Sequence, residues 1–218
     1  MKSKKITVAI LMCVVVAMFA FGMYSYQQRV HNSQMEKVSQ AASRLIRPTS
    51  TVLGPMDAPV TIVEFFDPAC ETCRAFYPMV KDLMRQHAGN IRLVLRYAPF
   101  HQGSDQVLKL LEAAKKQDKY LPVLESVLEA QPMWADHGRP NLELAYQAAE
   151  KAGLDIQKAL VDAKSPDIEA LIAQDIEDLT ALEVTKTPTF FVNGRGLPSF
   201  GIEQLKALVV EELAKSKK

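Results

Sequence analysis

The order of apolar and polar positions divides this chain into segments of different period. From Ile6 to about Tyr26 the run is apolar and uncharged, with Lys2, Lys4 and Lys5 before it. Beyond it, Met35, Val38, Ala42 and Leu45 recur at spacings of three, four and three, a short heptad-like helical stripe. Arg47-Pro48-Thr49-Ser50 breaks that stripe, and Gly54-Pro55-Met56-Asp57-Ala58-Pro59 is a turn-rich approach to the next segment. Val60 to Phe66 is β-branched and aromatic and mostly apolar on both faces, which predicts a central strand. Asp67-Pro68-Ala69 ends it, and an amphipathic helix is expected from Cys70 to about His87. Ala88-Gly89-Asn90 stops the helix, and Ile91 to Tyr97 reads as a second buried strand. Strand, helix and strand in this order form a βαβ unit, expected to cross over with the right hand.

The pattern then turns helical for a long stretch. From Gln102 to about Leu182 the apolar groups are Val107, Leu108, Leu111 and Ala114; Leu121, Leu124, Val127 and Leu128; Leu142, Ala145, Tyr146 and Ala149; and Ile168, Leu171, Ile172 and Ile176. Pro132, Pro140 and Pro166 mark the joints. Strand character returns at Thr189-Phe190-Phe191-Val192, where Asn193-Gly194 signals a hairpin with a partner strand around Leu197 to Gly201. Ile202 to Lys215 closes as an amphipathic helix with Leu205, Leu208 and Val209 facing inward. The expected fold class is α/β, a sheet interrupted by a helical block over 102–182 and preceded by an N-terminal membrane-directed segment.

Composition narrows the function classes. Charged residues at 23% and hydrophobic residues at 48% fit a folded globular protein, and a net charge of +1 gives no electrostatic reason to bind nucleic acid. The apolar run at residues 6–26 matches the roughly 20 residues a bilayer-spanning helix needs, with the lysines on the cytoplasmic side. A cleaved signal peptide is the competing reading, although its apolar region is usually only about 7–15 residues and Ala20-Phe21-Gly22 is a poor cleavage site. Either way residues 1–26 send the remainder out of the cytoplasm, and residues 27–50 form a helical linker or stalk. The stripe in 27–46 must pack on the globular domain or on another copy, so a homo-oligomer is one expectation.

Cys13 lies in the apolar run, which leaves Cys70 and Cys73 in the exported part. Two cysteines so close cannot staple much chain, so they point to chemistry. A cysteine where a strand ends and a helix begins meets unpaired N–H groups and the positive end of the helix dipole, which favour a thiolate. The second lies one turn on, able to resolve a mixed disulfide formed by the first. Half a zinc site, a copper-holding pair and a plain stabilising disulfide are the alternatives; His31, His87, His101 and His137 show no ligand spacing.

The run Glu64-Phe65-Phe66-Asp67-Pro68-Ala69-Cys70-Glu71-Thr72-Cys73 resembles the active-site segment of the DsbA-type thiol–disulfide oxidoreductases, and Thr187-Pro188-Thr189-Phe190-Phe191-Val192-Asn193-Gly194 resembles their second signature. The resemblance runs from about Val52 to the C-terminus. It implies a thioredoxin-like fold in two parts, 51–101 and 183–218, split by the helical insertion. It implies that Cys70 is the exposed nucleophile and Cys73 the buried resolving cysteine. Pro188 would be a cis-proline beside them, Thr187 a residue tuning redox behaviour, and Glu64 a buried acid handling protons. An ion pair of Glu64 with Arg96 is the structural alternative. No cofactor beyond the Cys70–Cys73 disulfide is implied. The implied partners are cysteine-containing exported proteins and a membrane or periplasmic redox partner, with oxidation favoured over reduction or isomerisation. The dipeptide Glu71-Thr72 replaces the proline and histidine of the strongest oxidants. A carboxylate about 6 Å from the sulfur opposes the thiolate by roughly 1–3 kcal/mol, which makes the disulfide a weaker oxidant.

Overall fold

The computed structural model describes residues 18, 19, 21–25, 42–136 and 138–216. Its contacts divide the chain into two units, Met1–Ser43 and Arg44–Lys218. In the first, the described residues 18, 19, 21–25, 42 and 43 are helical. Most of the apolar run and most of the stripe, Met35 and Val38 included, lie outside the described residues. Among those described, no helix is long and apolar enough to cross a membrane.

The second unit is built on a sheet of order β1-β3-β2-β4-β5. The strands are β1 (Thr51–Leu53), β2 (Val60–Phe66), β3 (Ile91–Tyr97), β4 (Thr189–Val192) and β5 (Arg195–Gly196). β2 and β3 run parallel, joined by α1 (Glu71–Gln86), while β1 on β3, β4 on β2 and β5 on β4 are antiparallel. The two parallel strands lie in the middle and are buried on both faces, apart from Arg92, which is only partly covered. Between β3 and β4 come α2 (Ser104–Lys115), α3 (Tyr120–Glu129), α4 (Gln131–Trp134), α5 (Leu142–Lys151), α6 (Ile156–Asp162) and α7 (Pro166–Ala181). The last helix, α8, spans Ile202–Lys215.

Period-two alternation along β2 sorts its side chains between two cores. Ile62 and Phe66 join Leu93, Leu95 and Tyr97 in the larger core, which takes in α1, α8 and most of the helical block. Val63 and Phe65 join Val94, Ala98, Leu179 and Val184 on the other face, under α7. Leu45 belongs to this second core, and the Arg47 guanidinium donates to Asp178 at 2.7 Å. The globular unit thus begins before residue 51, inside the stretch expected to be linker, because these residues cover the α7 face.

Three further expectations are corrected. The partner strand of the hairpin is the two-residue β5, not Leu197 to Gly201, because Asn193 (φ +46) and Gly194 (φ +82) complete a tight turn that begins pairing at once. Leu121 and Ile176 are exposed, since each falls on the outer edge of its helix's apolar stripe. Glu64 and Arg96 do not pair: the register sets Glu64 opposite Leu95 and Arg96 opposite Phe65, on opposite faces.

Candidate active site

β2 ends at Phe66, and Cys70 is the N-cap of α1, with extended backbone angles (φ −76°, ψ 117°). That location brings its sulfur to the N–H groups at the start of the helix. The Cys70 thiol is pulled down to about 5, first by a hydrogen bond from the Cys73 thiol. Burial opposes this, while the Thr187 side chain and the N–H groups of Cys73 and Thr72 add to it. Cys73, one turn along, is fully buried; burial, its bond to Cys70 and the charges of Glu64 and Cys70 push its thiol far up. The same four-residue motif therefore holds one sulfur ready to ionise and one that resists ionising. Both are free thiols, and Cys70, expected to be the exposed one of the pair, is itself buried at 5% exposure because the Thr187 loop lies against its sulfur. In this state the Cys70 sulfur donates to the Thr187 carbonyl at 3.4 Å.

Thr187 reaches Cys70 because β4 pairs with β2, setting Thr189 opposite Phe65 and Phe190 opposite Glu64. The peptide bond between Thr187 and Pro188 is cis, and Pro188 is buried. Thr189 Oγ1 donates to the Lys186 carbonyl at 2.7 Å, closing the loop from its other side. Past Pro188, a groove of about 300 Å³ is lined in part by Phe190, Leu197 and Phe200. Phe76 of α1 packs on Phe190 and Phe200, with ring centroids 5.8 and 4.9 Å apart.

Glu64 lies in the middle of β2, on the face that carries Ile62 and Phe66. It is buried, and among the described residues neither carboxylate oxygen has a hydrogen-bond partner. Burial first, and the charge of Cys70 second, raise it to about 8. An acid so placed holds a proton at neutral pH and can exchange it with a neighbouring sulfur. Glu71 and Thr72 are exposed in the first turn of α1. Glu71 is not among the leading influences on Cys70, and its opposing charge does not keep that thiol from falling to about 5.

The structure adds residues that sequence reasoning left out. Asp67 is fully buried and accepts hydrogen bonds from the N–H groups of Ala69 (2.9 Å), Phe100 (2.8 Å) and His101 (3.0 Å) and from the Ser104 hydroxyl; His101 Nδ1 lies 2.7 Å from it. One carboxylate thus ties the turn before Cys70 to the loop after β3. Gly103, in the left-handed region at φ +86°, lets that loop turn into α2, and a side chain there would collide with Pro140. Gln131, at the start of α4, donates to the carbonyls of Pro68 (2.8 Å) and Cys70 (2.9 Å) and accepts from Arg74 Nε (2.8 Å). The helical block therefore grips the turn into Cys70 directly. Asp67 stands in the run that ends at Cys73, but its contacts with Phe100, His101 and Ser104, like those of Gln131, join residues more than thirty positions apart, and no local period reveals them.

A thioredoxin family model matches residues 47–211. Among curated sequences the chain is similar to the Na(+)/H(+) antiporter NhaA of Herminiimonas arsenicoxydans, at 32% identity over 146 residues, covering 67% of this chain and 22% of that protein. It is also similar to the Na(+)/H(+) antiporter NhaA 3 of Salinispora tropica, at 33% over 173 residues, 76% of this chain and 25% of that protein. The chain spans a quarter or less of the length of these two relatives. Among solved structures it resembles a thioredoxin-like oxidoreductase from Silicibacter pomeroyi, with 30% identity, TM-score 0.67, and coverage of 78% of this chain and 94% of that one. The thiol-disulfide exchange protein alpha-DsbA2 from Wolbachia pipientis shares 22% identity at a TM-score of 0.69, over 83% and 96% of the two chains. BdbD from Bacillus subtilis shares 24% at 0.66, over 76% and 93%. With a family match over most of the globular unit, the chain belongs to the thioredoxin family, and it carries a helical block inserted between β3 and β4.

Proposed function

We propose that this chain exchanges disulfides with cysteine-containing exported proteins through Cys70 and Cys73, and that it acts chiefly as an oxidant. The observation that carries this reading is the split between the two sulfurs: Cys70 is lowered to about 5 while Cys73 is raised. In the oxidising direction a substrate thiolate attacks the Cys70 sulfur of the Cys70–Cys73 disulfide. The S–S bond breaks, its electron pair goes to Cys73, and Cys73 takes a proton from Glu64. A second substrate thiolate then attacks the mixed disulfide and expels Cys70 as a thiolate. Substrate is oxidised and the chain's disulfide is reduced, the two sulfurs taking both electrons and Glu64 supplying the proton. A stable leaving thiolate favours this direction. A second disulfide-bearing protein, in the membrane or periplasm, would restore the disulfide.

The buried Pro188 and the Thr187 carbonyl beside Cys70 support a role in holding the substrate chain near the sulfur. The site requires an oxidising compartment, so the domain would work outside the cytoplasm, tethered by residues 6–26. Self-association through residues 27–46 belongs to the same reading; light scattering on the chain with and without residues 1–41 tests it. Trapping tests the activity itself. Cys73→Ala should accumulate mixed disulfides with exported proteins and Cys70→Ala none; equal trapping by both variants, or by neither, would overturn the proposal.

A further inference from the structure

Asp67 and His101 stand outside the exchange steps above, yet they flank the nucleophile. Asp67 shapes the turn into Cys70: its carbonyl accepts from the Cys70 N–H at 3.1 Å, and its carboxylate accepts from Ala69 N–H at 2.9 Å. The same carboxylate holds His101 twice, through the backbone N–H at 3.0 Å and through Nδ1 at 2.7 Å. The imidazole is therefore fixed on the side facing Asp67. Its side chain is still 32% exposed, so it can exchange a proton with water.

We propose that His101 is a positioning residue for the exchange reaction, an imidazolium held by Asp67 beside the Cys70 turn that favours the Cys70 thiolate and gives up its proton when the Cys70–Cys73 disulfide forms. The inference rests on the exchange reading above. Two acids crowd the nucleophile, the buried Asp67 three residues before it and Glu71 immediately after it. Their fields oppose a thiolate, and a cation held on Asp67 and within electrostatic reach of Glu71 offsets both. Among the described residues, the charged groups that act most strongly on His101 are Asp67, Cys70 and Glu71. Burial pulls the imidazole down, but its hydrogen bond to Asp67 and those three charges outweigh burial and hold it above its ordinary value.

The proton balance follows from the charges. Between the Cys70 value near 5 and the raised value of His101, reduced protein carries a Cys70 thiolate, a Cys73 thiol and a His101 imidazolium. Forming the disulfide passes two electrons to a partner's disulfide and releases the Cys73 proton. It also removes the negative charge at Cys70, so His101 binds its own proton less tightly and loses part of it to water. Coupling of this kind is reciprocal: whatever the thiolate adds to His101 affinity for a proton, the imidazolium adds to thiolate stability.

The test needs first only the natural chain. Ring-proton resonances of His101, titrated in the dithiol and disulfide forms, should give a lower pKa in the disulfide form by about 0.5–1. The same titration value in both forms would overturn the proposal. His101→Gln keeps a hydrogen-bonding side chain without the charge, while His101→Arg keeps a charge. Read by ultraviolet absorbance at the pH of half-ionisation of natural Cys70, near 5, the Gln variant should lose roughly two- to fivefold in thiolate fraction, as a shift of that size requires, and the Arg variant should retain it. Equal losses in both would assign His101 to the fold alone and overturn the proposal. If neither variant folds, the titration of the natural chain decides. If trapping fails while His101 still senses the redox state, the function proposed above falls and this coupling stands.

Discussion

On one face of the central strands, Glu64 is buried with both carboxylate oxygens unbonded among the described residues. On the opposite face, Arg96 of β3 is buried against Asp175 and Asp178, with Nε donating to Asp175 at 2.9 Å and Nη2 to Asp178 at 2.7 Å. Arg44 and Arg47 add bonds to Asp178 at 3.0 and 2.7 Å. Burial is nearly complete in both places, so burial alone does not set the charge of an acid. Partners do. Burial works against Asp178 too, but hydrogen bonds from Arg47 and Arg96 bring it down to about 2, while Glu64, with none, rises to about 8. One face of the sheet is organised for cohesion. The face beneath the cysteines leaves an acid free to trade its proton.

The comparison breaks most severely at Arg96. Arg96→Met should destabilise the protein by about 3–5 kcal/mol, since it strands two acids without their shared donor. Urea unfolding measures this, and disulfide exchange below the unfolding transition should be unchanged.

Glu64→Gln should act with the opposite sign. Below about pH 4 the carboxyl is protonated in folded and unfolded chains alike and adds no penalty. As pH rises from there to about 8, the unfolded chain ionises and the folded one does not, so the natural protein loses stability relative to the variant. At neutral pH the variant should be more stable by about 3 kcal/mol, the gap closing in acid, while reduction of its disulfide slows by about a hundredfold. Asp178 gives the mirror image. Its pairing stabilises the fold above about pH 4 and is lost as the pH falls toward about 2.

Leu45→Ala should cost about 2 kcal/mol by opening a cavity in the core beneath α7, again without touching exchange. Chemical denaturation beside an exchange assay checks both halves. Thr187→Val should change least. Losing the hydroxyl that helps stabilise the Cys70 sulfur should raise that thiol's pKa by less than about 1 and leave stability within about 0.5 kcal/mol. Absorbance titration and thermal melts measure the two.

The elements with strong periods were legible in the sequence. β2, β3 and β4 follow their β-branched and aromatic runs, and α8 spans Ile202–Lys215, the segment its amphipathic pattern marks. Cys70 and Cys73 could be found because strand end, helix start and CxxC coincide in one short stretch. β1 could not. Its three residues are too few to show alternation, and they pair antiparallel with β3 more than forty positions away. The faces of Glu64 and Arg96 were hidden for a related reason. A strand's sequence shows which residues share a face, but only register tells whether Arg96 points with Glu64 or against it. Asp67, His101 and Gln131 escaped notice because their roles lie in contacts between the sheet, a loop and the inserted helices.

The contrast between the two sulfurs is tested most directly by alkylating the fully reduced chain over a range from about pH 3 to pH 9, with the modified cysteine identified by mass spectrometry. Labelling should fall on Cys70, with its rate half-maximal near pH 5. Cys73 should stay unlabelled across the range until the protein unfolds. Comparable labelling of both cysteines, with both rates rising only near the ordinary thiol value of about 8.5, would contradict an activated nucleophile paired with a buried resolving thiol.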